Sequence, residues 1–300
     1  MISVVVPVFN GAHVLGTCVP ATLALRGVDE WIWIDDGSTD ATPETLRRLL
    51  GSEPRARLVQ HTANCGRAAA RNTGVRNAAG DTLVFLDADV APLPDLAERF
   101  AAALAGGAAA TVARLTPVEP LAPDPYGEYL RRARRGVSPG AQPGVVLPWR
   151  LFVTAACAVS RSAFETAGGF DEQVEYGEDL ALACRLATHA PGGLRASGAA
   201  AAISDTSTLA GALANMEAFG RRLPEMNERC PGLLRLAGLE RVLAPGWRHA
   251  LAASPALGRA VRRLAPVVPR ALQPLAVRYL LGHTLVRATD DARLYAYPGR

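Results

Sequence analysis

The chain has no lysine: all 32 of its basic residues are arginine, which reflects coding bias rather than chemistry. Aromatic residues are scarce at 6%. The five cysteines, Cys18, Cys65, Cys157, Cys184 and Cys230, are odd in number, far apart and without a CxxC or Cys/His metal spacing. They are expected to be buried, reduced thiols of a cytoplasmic protein. Long hydrophobic runs are missing too. Residues 1–25 carry no formal charge, but they lack a basic n-region and are interrupted by Pro7, Asn10, Gly11, His13 and Pro20, unlike a signal peptide. Elsewhere the longest charge-free stretches, such as residues 100–113, are too short to cross a bilayer. No GxSxG, Walker or HExxH motif occurs.

What is present describes a globular chain: 300 residues, 49% hydrophobic and 20% charged, enough to bury a core. With 28 glycines and 22 prolines but no period, disorder, collagen, solenoids and propellers are excluded. The net charge of +4 is unevenly spread. Residues 231–289 hold nine arginines against Glu240 alone, whereas residues 1–230 sum to −4. A basic piece of this kind suits an anionic membrane surface, a phosphate-bearing substrate or an acidic partner, or is simply a solvated helical face.

Short apolar runs alternate with helical patterns in the first half: strands near residues 2–6, 30–34, 57–61 and 82–86, helices near 14–25, 43–50 and 67–78. Thr42-Pro43 reads as an N-cap with proline at the first helical position, and Gly80 as a helix stop. A helix near 94–105 follows. Residues 116–148, rich in Pro, Gly and Arg, read as an insertion or mobile loop. A strand near 152–159 and a helix near 179–188 come next, and from Leu209 onward the pattern is helical, cut by prolines that include Pro224.

Three acidic clusters fall where an open α/β sheet presents ligands, at strand ends or a helix start: Asp35-Asp36, Asp87-Ala88-Asp89 and Glu178-Asp179. With one residue between them, Asp87 and Asp89 on an extended backbone point to the same side and offer hard oxygen ligands to Mg²⁺ or Mn²⁺.

Six ordered segments carry a resemblance: VVVPVFN (4–10), IDDGSTD (34–40), NCGRAAARNTG (64–74), GDTLVFLDAD (80–89), GGFDE (168–172) and YGEDLALACRL (176–186). Through them the chain resembles the inverting family 2 glycosyltransferases of the GT-A fold. The resemblance implies an α/β fold with a mainly parallel sheet flanked by helices. The catalytic domain would span 1–225, with a helical basic appendage over 226–300. It further implies a metal-dependent transfer of a single sugar from a UDP-, dTDP- or GDP-linked donor to an unknown acceptor, with no nucleic-acid partner. The location would be cytoplasmic, with peripheral contact to anionic membrane through the basic segment.

By the same resemblance, Pro7, Phe9 and Asn10 belong to the donor pocket, with Phe9 stacking on the base. Asp36 accepts an imide N–H of the base, and Arg71 lies in the segment lining the nucleotide pocket, facing phosphate or base unless it is a helix-surface arginine. Asp87 and Asp89 are the metal motif, with Asp89 the direct ligand of Mn²⁺ or Mg²⁺. Asp179 is the general base, and Glu178 is the second catalytic residue, orienting the acceptor or raising the pKa of the base by like-charge proximity. Two departures stand out: Ala181 replaces a frequent second aspartate, and Ser204-Asp205 stands where many members have a metal-holding histidine. Either Asp205 substitutes as an oxygen ligand or the ion is held more loosely. A sugar nucleotidyltransferase and a noncatalytic nucleotide-sugar-binding scaffold are the competing readings.

Overall fold

The computed structural model describes the chain except residues 52, 119–120, 133–134, 138–139, 205–206, 245 and 297–300, together with the side chains of 135, 136, 241 and 293–296. Asp205, a proposed metal ligand, therefore lies outside the described residues. The chain groups into two compact units: Met1–Val118, Arg134–Gln173 and Glu178–Ser204 form one, and Glu119–Ala133, Val174–Gly177 and Asp205–Arg300 the other.

The first unit begins with β1 (Ile2–Val8), α1 (Ala12–Leu23), β2 (Glu30–Asp35), α2 (Thr42–Leu50), β3 (Ala56–Gln60), α3 (Arg67–Asn77) and β4 (Thr82–Leu86), the predicted alternation to within about two residues at each end. It continues with β5 (Val90–Pro92), α4 (Leu96–Ala105) and β6 (Ala110–Pro117). The helix α5 (Pro125–Arg132) belongs to the second unit. The chain then returns through β7 (Arg135–Gly136), β8 (Val146–Leu147), a 3₁₀ turn at Trp149–Leu151, β9 (Ala156–Ser160), α6 (Arg161–Thr166), α7 (Glu178–His189) and β10 (Leu194–Ile203). Among the described residues the ten strands make one sheet in the order β3-β2-β1-β4-β9-β6-β10-β5, with β7 on β6 and β8 on β10. Strands β3, β2, β1 and β4 are mutually parallel, and β9 runs antiparallel between β4 and β6.

Alternation along the strands divides the core. Val4, Val6 and Val8 of β1 join Trp31, Trp33, Val84 and Leu86 on one face, in the same cluster as Leu15 and Val19 of α1. On the other face Val5 meets α3, where Gly74 is required: a Cβ there would lie 2.3 Å from Val5 Cγ1 and 2.8 Å from Ile34 Cδ1. The missing side chain lets α3 lie directly on β1 and β2.

Several local expectations are corrected. Thr42 is the first helical residue, not the N-cap; buried, it gives its hydroxyl oxygen to the Gly11 N–H at 2.9 Å, while Asp40 accepts from the Thr42 N–H at 3.0 Å. Gly80 does not stop a helix, since α3 ends at Asn77; it is glycine because a Cβ would fall 2.5 Å from Ser3 Oγ. The segment 116–148 is not one loop, for it holds α5, β7 and β8. The strand predicted from 152 starts at Ala156, because the chain turns at Thr154 and Ala155 just before it. Asp87, Ala88 and Asp89 form a turn rather than extended backbone, closed by the Val90 N–H donating to the Asp87 carbonyl. Cys18 and Cys157 are buried free thiols, but Cys65 is exposed on a loop, and Cys184 and Cys230 are each disulfide-bonded, a state that spacing does not reveal.

The second unit is helical: α5, α8 (Leu209–Arg229), α9 (Leu233–Ala237), α10 (Glu240–Leu243), α11 (Trp247–Ala253), α12 (Pro255–Leu264) and α13 (Gln273–Ala296). Pro224 lies inside α8 instead of ending it. Asp124 serves two helix starts, accepting from the Tyr126 N–H at 2.9 Å through one oxygen and from the Leu209 N–H at 2.6 Å through the other. Tyr126, Leu130, Ala212 and Val277 form its core with Leu121. No helix among the described residues is long and apolar enough to cross a membrane.

Replacing Gly74 by alanine should cost about 1–3 kcal/mol, the range for overpacking a filled interior. Chemical denaturation of the two proteins measures it, and an unchanged midpoint would contradict the close packing of α3 on β1.

Candidate active site

The sheet changes its direction of growth at β1, since β2 and β3 add on one side and β4 on the other. A crevice opens at such a switch, outside the carboxyl ends of the strands. Here it is wide: β1 follows β2 as far as Val8 and Asp35 but leaves β4 after Val5 and Phe85. Met1 accepts from Thr82 of β4 and Val8 accepts from Asp36, so odd positions of β1 turn their backbone toward β4. Pro7 thus faces β4 without the N–H that would carry the pairing on to Leu86. Phe9 and Asn10 follow β1, Asp36 follows β2, and Asp87 and Asp89 follow β4, all at this edge. Phe9 is 48% exposed and is no core aromatic. Asn10 adopts φ +50° and ties neighbouring loops, its N–H donating to Ser38 Oγ and its side-chain oxygen accepting from the Thr39 N–H, both at 2.9 Å.

Asp36 is buried and organises the loop ahead of α3. One oxygen accepts from the Cys65 N–H at 2.9 Å and faces His61 Nδ1 at 2.7 Å; the other accepts from the Gly66 N–H at 2.9 Å. Gly37 permits this closeness: a Cβ there would sit 2.4 Å from the Ala63 carbonyl carbon. His61 was not anticipated from sequence. The signal was available in register, because Asp35 of β2 is level with Gln60 of β3 and the next residue of each is Asp36 and His61.

Arg71 is not a helix-surface residue. Its side chain is 2% exposed and spans two of the acidic clusters, donating to Glu178 Oε1 at 2.8 Å and to Asp87 Oδ1 at 2.6 Å. Burial works against the charge, but Asp87 and Glu178 outweigh it and hold the guanidinium above arginine's ordinary value. The Phe170 ring lies 5.6 Å from the guanidinium carbon and packs with Phe85 and Phe164. Asn72 fixes that ring's backbone, donating to the Phe170 carbonyl at 2.9 Å and accepting from its N–H at 3.0 Å. Gly168 and Gly169, both at positive φ, make the turn into this bracket.

Asp87 spends Oδ1 on Arg71 and is 34% exposed, and Oδ2 has no partner among the described residues. Asp89 is partly exposed and its carbonyl accepts from the Ser204 N–H. Carboxylate oxygens at the rim of a crevice are the donor chemistry that Mg²⁺ and Mn²⁺ take, and Asp87 can give Oδ2 without surrendering Arg71. Glu178 and Asp179 open α7, where the helix dipole favours negative charge. Burial, then the neighbouring Glu178 carboxylate, nevertheless push Asp179 up to about 7, against opposition from the Leu180 N–H and Arg71.

Residues 3–166 match the family described as Glycosyl transferase family 2. The chain is 33% identical over 192 residues to a pre-mycofactocin glycosyltransferase of Mycobacterium tuberculosis, covering 62% of this chain and 38% of that protein. It is 32% identical over 224 residues to a validoxylamine A glucosyltransferase of Streptomyces hygroscopicus subsp. jinggangensis, covering 63% and 52% respectively. It thus spans between 38% and 52% of the length of these relatives. In fold it is similar to S. aureus TarS 1-349 in complex with UDP-GlcNAc, with TM-score 0.62 and 14% identity over 98% of this chain and 91% of that one. The mannosyltransferase PcManGT of Pyrobaculum calidifontis, solved with GDP-Man and Mn²⁺, gives TM-score 0.59 and 23% identity over 96% and 87%. These likenesses bear out the expected GT-A fold.

Arg71→Leu would leave two carboxylates facing each other without their shared cation. Loss of one partner from a buried ion pair costs about 3–5 kcal/mol, and the partial exposure of Asp87 places this case at about 3 kcal/mol. Denaturant unfolding reads the change, and a loss below about 1 kcal/mol would show that the bridge is not a structural anchor.

Proposed function

Because the chain belongs to glycosyl transferase family 2, we propose that it moves a single sugar from a nucleoside diphosphate sugar to a hydroxyl acceptor, with inversion at the anomeric carbon. The observation that carries this is Arg71: one buried guanidinium joins Asp87, after β4, to Glu178, the neighbour of Asp179. An inverting displacement needs leaving-group chemistry on one side of the anomeric carbon and a base on the other, held in fixed relation.

The donor's base stacks on the exposed face of Phe9. Asp36, with three of its roughly four lone-pair sites engaged, keeps one on Oδ2 for an imide N–H of uracil or thymine or the equivalent group of guanine. Asp87 and Asp89 would hold Mg²⁺ or Mn²⁺. When bound, that ion supplies charge neutralisation to the departing diphosphate. Arg71 keeps Asp87 oriented through the bond to Oδ1. Asp179 takes the proton of the acceptor hydroxyl as its oxygen attacks, and the partly buried site suits its basicity to neutral pH. Glu178 raises that basicity by like charge while its own oxygen is held by Arg71.

Asp179→Asn should abolish transfer while donor affinity stays within a few-fold; unchanged turnover would remove Asp179 from the base role. The base works ionised, so the wild-type rate should climb as pH rises through about 7 and then level off. A flat profile from acid to alkaline pH would contradict it. Calorimetry with UDP, GDP and dTDP, with and without Mn²⁺, should show one nucleotide binding in a metal-dependent way that Asp89→Ala destroys. Binding of none would count against the donor assignment.

A further inference from the structure

Asp36, His61 and Cys65 each bring one ligand-capable atom to a common point: a carboxylate oxygen, Nδ1 and Sγ all lie within 4.8 Å of one another. We infer that these three side chains form a binding site for a zinc-class divalent ion, distinct in chemistry from the all-oxygen Asp87 and Asp89 pair.

Thiolate, imidazole and carboxylate together suit Zn²⁺ or Co²⁺ and are poor company for Mg²⁺. The two acidic ligands are nearly matched in charge to the ion, since Asp36 and an ionised Cys65 contribute two negative charges. Binding would release the thiol proton to solvent and shift the single N–H of a neutral His61 from Nδ1 to Nε2, freeing Nδ1 for the ion. The cradle is rigid beforehand. Asp36 is fixed by the Cys65 and Gly66 N–H groups, and those bonds use the backbone of Cys65, while its thiol donates to the Ala63 carbonyl at 3.4 Å, a contact that ionisation would release. Cys65 is exposed, which leaves a fourth position for water.

The outer partner of the imidazole is also in place. His61 Nε2 lies 3.0 Å from Thr73 Oγ1, the kind of hydrogen bond that a metal-bound histidine carries on its other nitrogen. Arg76 donates to the same oxygen at 2.7 Å, which leaves Thr73 a second lone pair to accept from Nε2–H once an ion holds Nδ1. Cys65 is moreover the one cysteine open to an ion. Cys18 and Cys157 are buried, with burial pushing Cys18 up to about 11, and Cys184 and Cys230 are disulfide-bonded.

A bound ion would occupy the carboxylate given above to the donor's base, and this competition, unlike the site itself, rests on that reading. Titrating the full chain with Co²⁺, free of nucleotide, should produce a thiolate-to-cobalt charge-transfer band that saturates at one ion and is bleached by Zn²⁺. Cys65→Ala should lose the band, Thr73→Ala should weaken the affinity by about tenfold or more, and Asp89→Asn should leave the band intact. Absence of the band in the wild type, or its survival in Cys65→Ala, overturns the site. Displacement of the ion by uridine, which has no diphosphate to strip cobalt, supports both the site and the donor reading. A ternary complex that keeps the band supports the site and removes Asp36 from base recognition.

Discussion

A guanidinium shut away from water has to find its counter-charge inside the protein, and Arg71 finds it on two elements that are distant in sequence. Its hydrogen bonds to Asp87 and Glu178 bind the end of β4 to the start of α7 through α3. Three other features make the bond pair possible. Gly74, nearly one turn along α3, lets the helix settle on β1; Asn72 pins the backbone of Phe170; and Phe170 covers the guanidinium with its ring. None of these residues carries charge, yet each decides where the charge sits. The desolvation cost of an ion this deep is met only when all its partners are in place, so the site and the fold are not separable here.

Asp36 plays a comparable part at the neighbouring strand end. It is a carboxylate whose first duty is to the backbone of its own protein, gathering the Cys65 and Gly66 N–H groups and the His61 ring. The loop it gathers leads straight into α3, the helix that carries Arg71. The two polar hubs are therefore mechanically linked, one fixing how the chain enters α3 and the other fixing how α3 meets the rest of the sheet.

The parallel half of the sheet was legible in the sequence because Val, Ile and Trp runs alternate with amphipathic stretches, and the acidic clusters are recognisable by their place after those runs. Of the later strands, β9 was legible and β6 and β10 were not. β10 reads LRASGAAAAI, and such alanine content favours a helix by local preference, while β6, ATVARLTP, follows directly on an alanine-rich helix with no apolar run to mark it. Pairing overrides it in β10, which lies between β6 and β5, with a register irregularity against β6 between Ala196 and Ala200 where Gly198 takes φ +72°. At the candidate site the residue types were readable and their partnerships were not. Thr42 looks like a cap because threonine usually caps; here its hydroxyl is claimed by Gly11 across 31 residues. Arg71 looks like any helical arginine until the packing allowed by Gly74 shows which face of α3 is inside. His61 comes into view only when two strands are laid side by side.

The proline near the end of β1 bears on a hazard that any open crevice in a sheet carries. Where two strands part, their inner edges expose backbone that another extended segment can zip into, closing the gap or joining molecules together. Pro7 removes the donor from one wall of the fork at the position where such zipping would continue past Val5 and Phe85. The ring also stiffens the backbone on which Phe9 is carried. A residue that looks like a flaw in a central strand thus keeps the mouth of the sheet from healing shut.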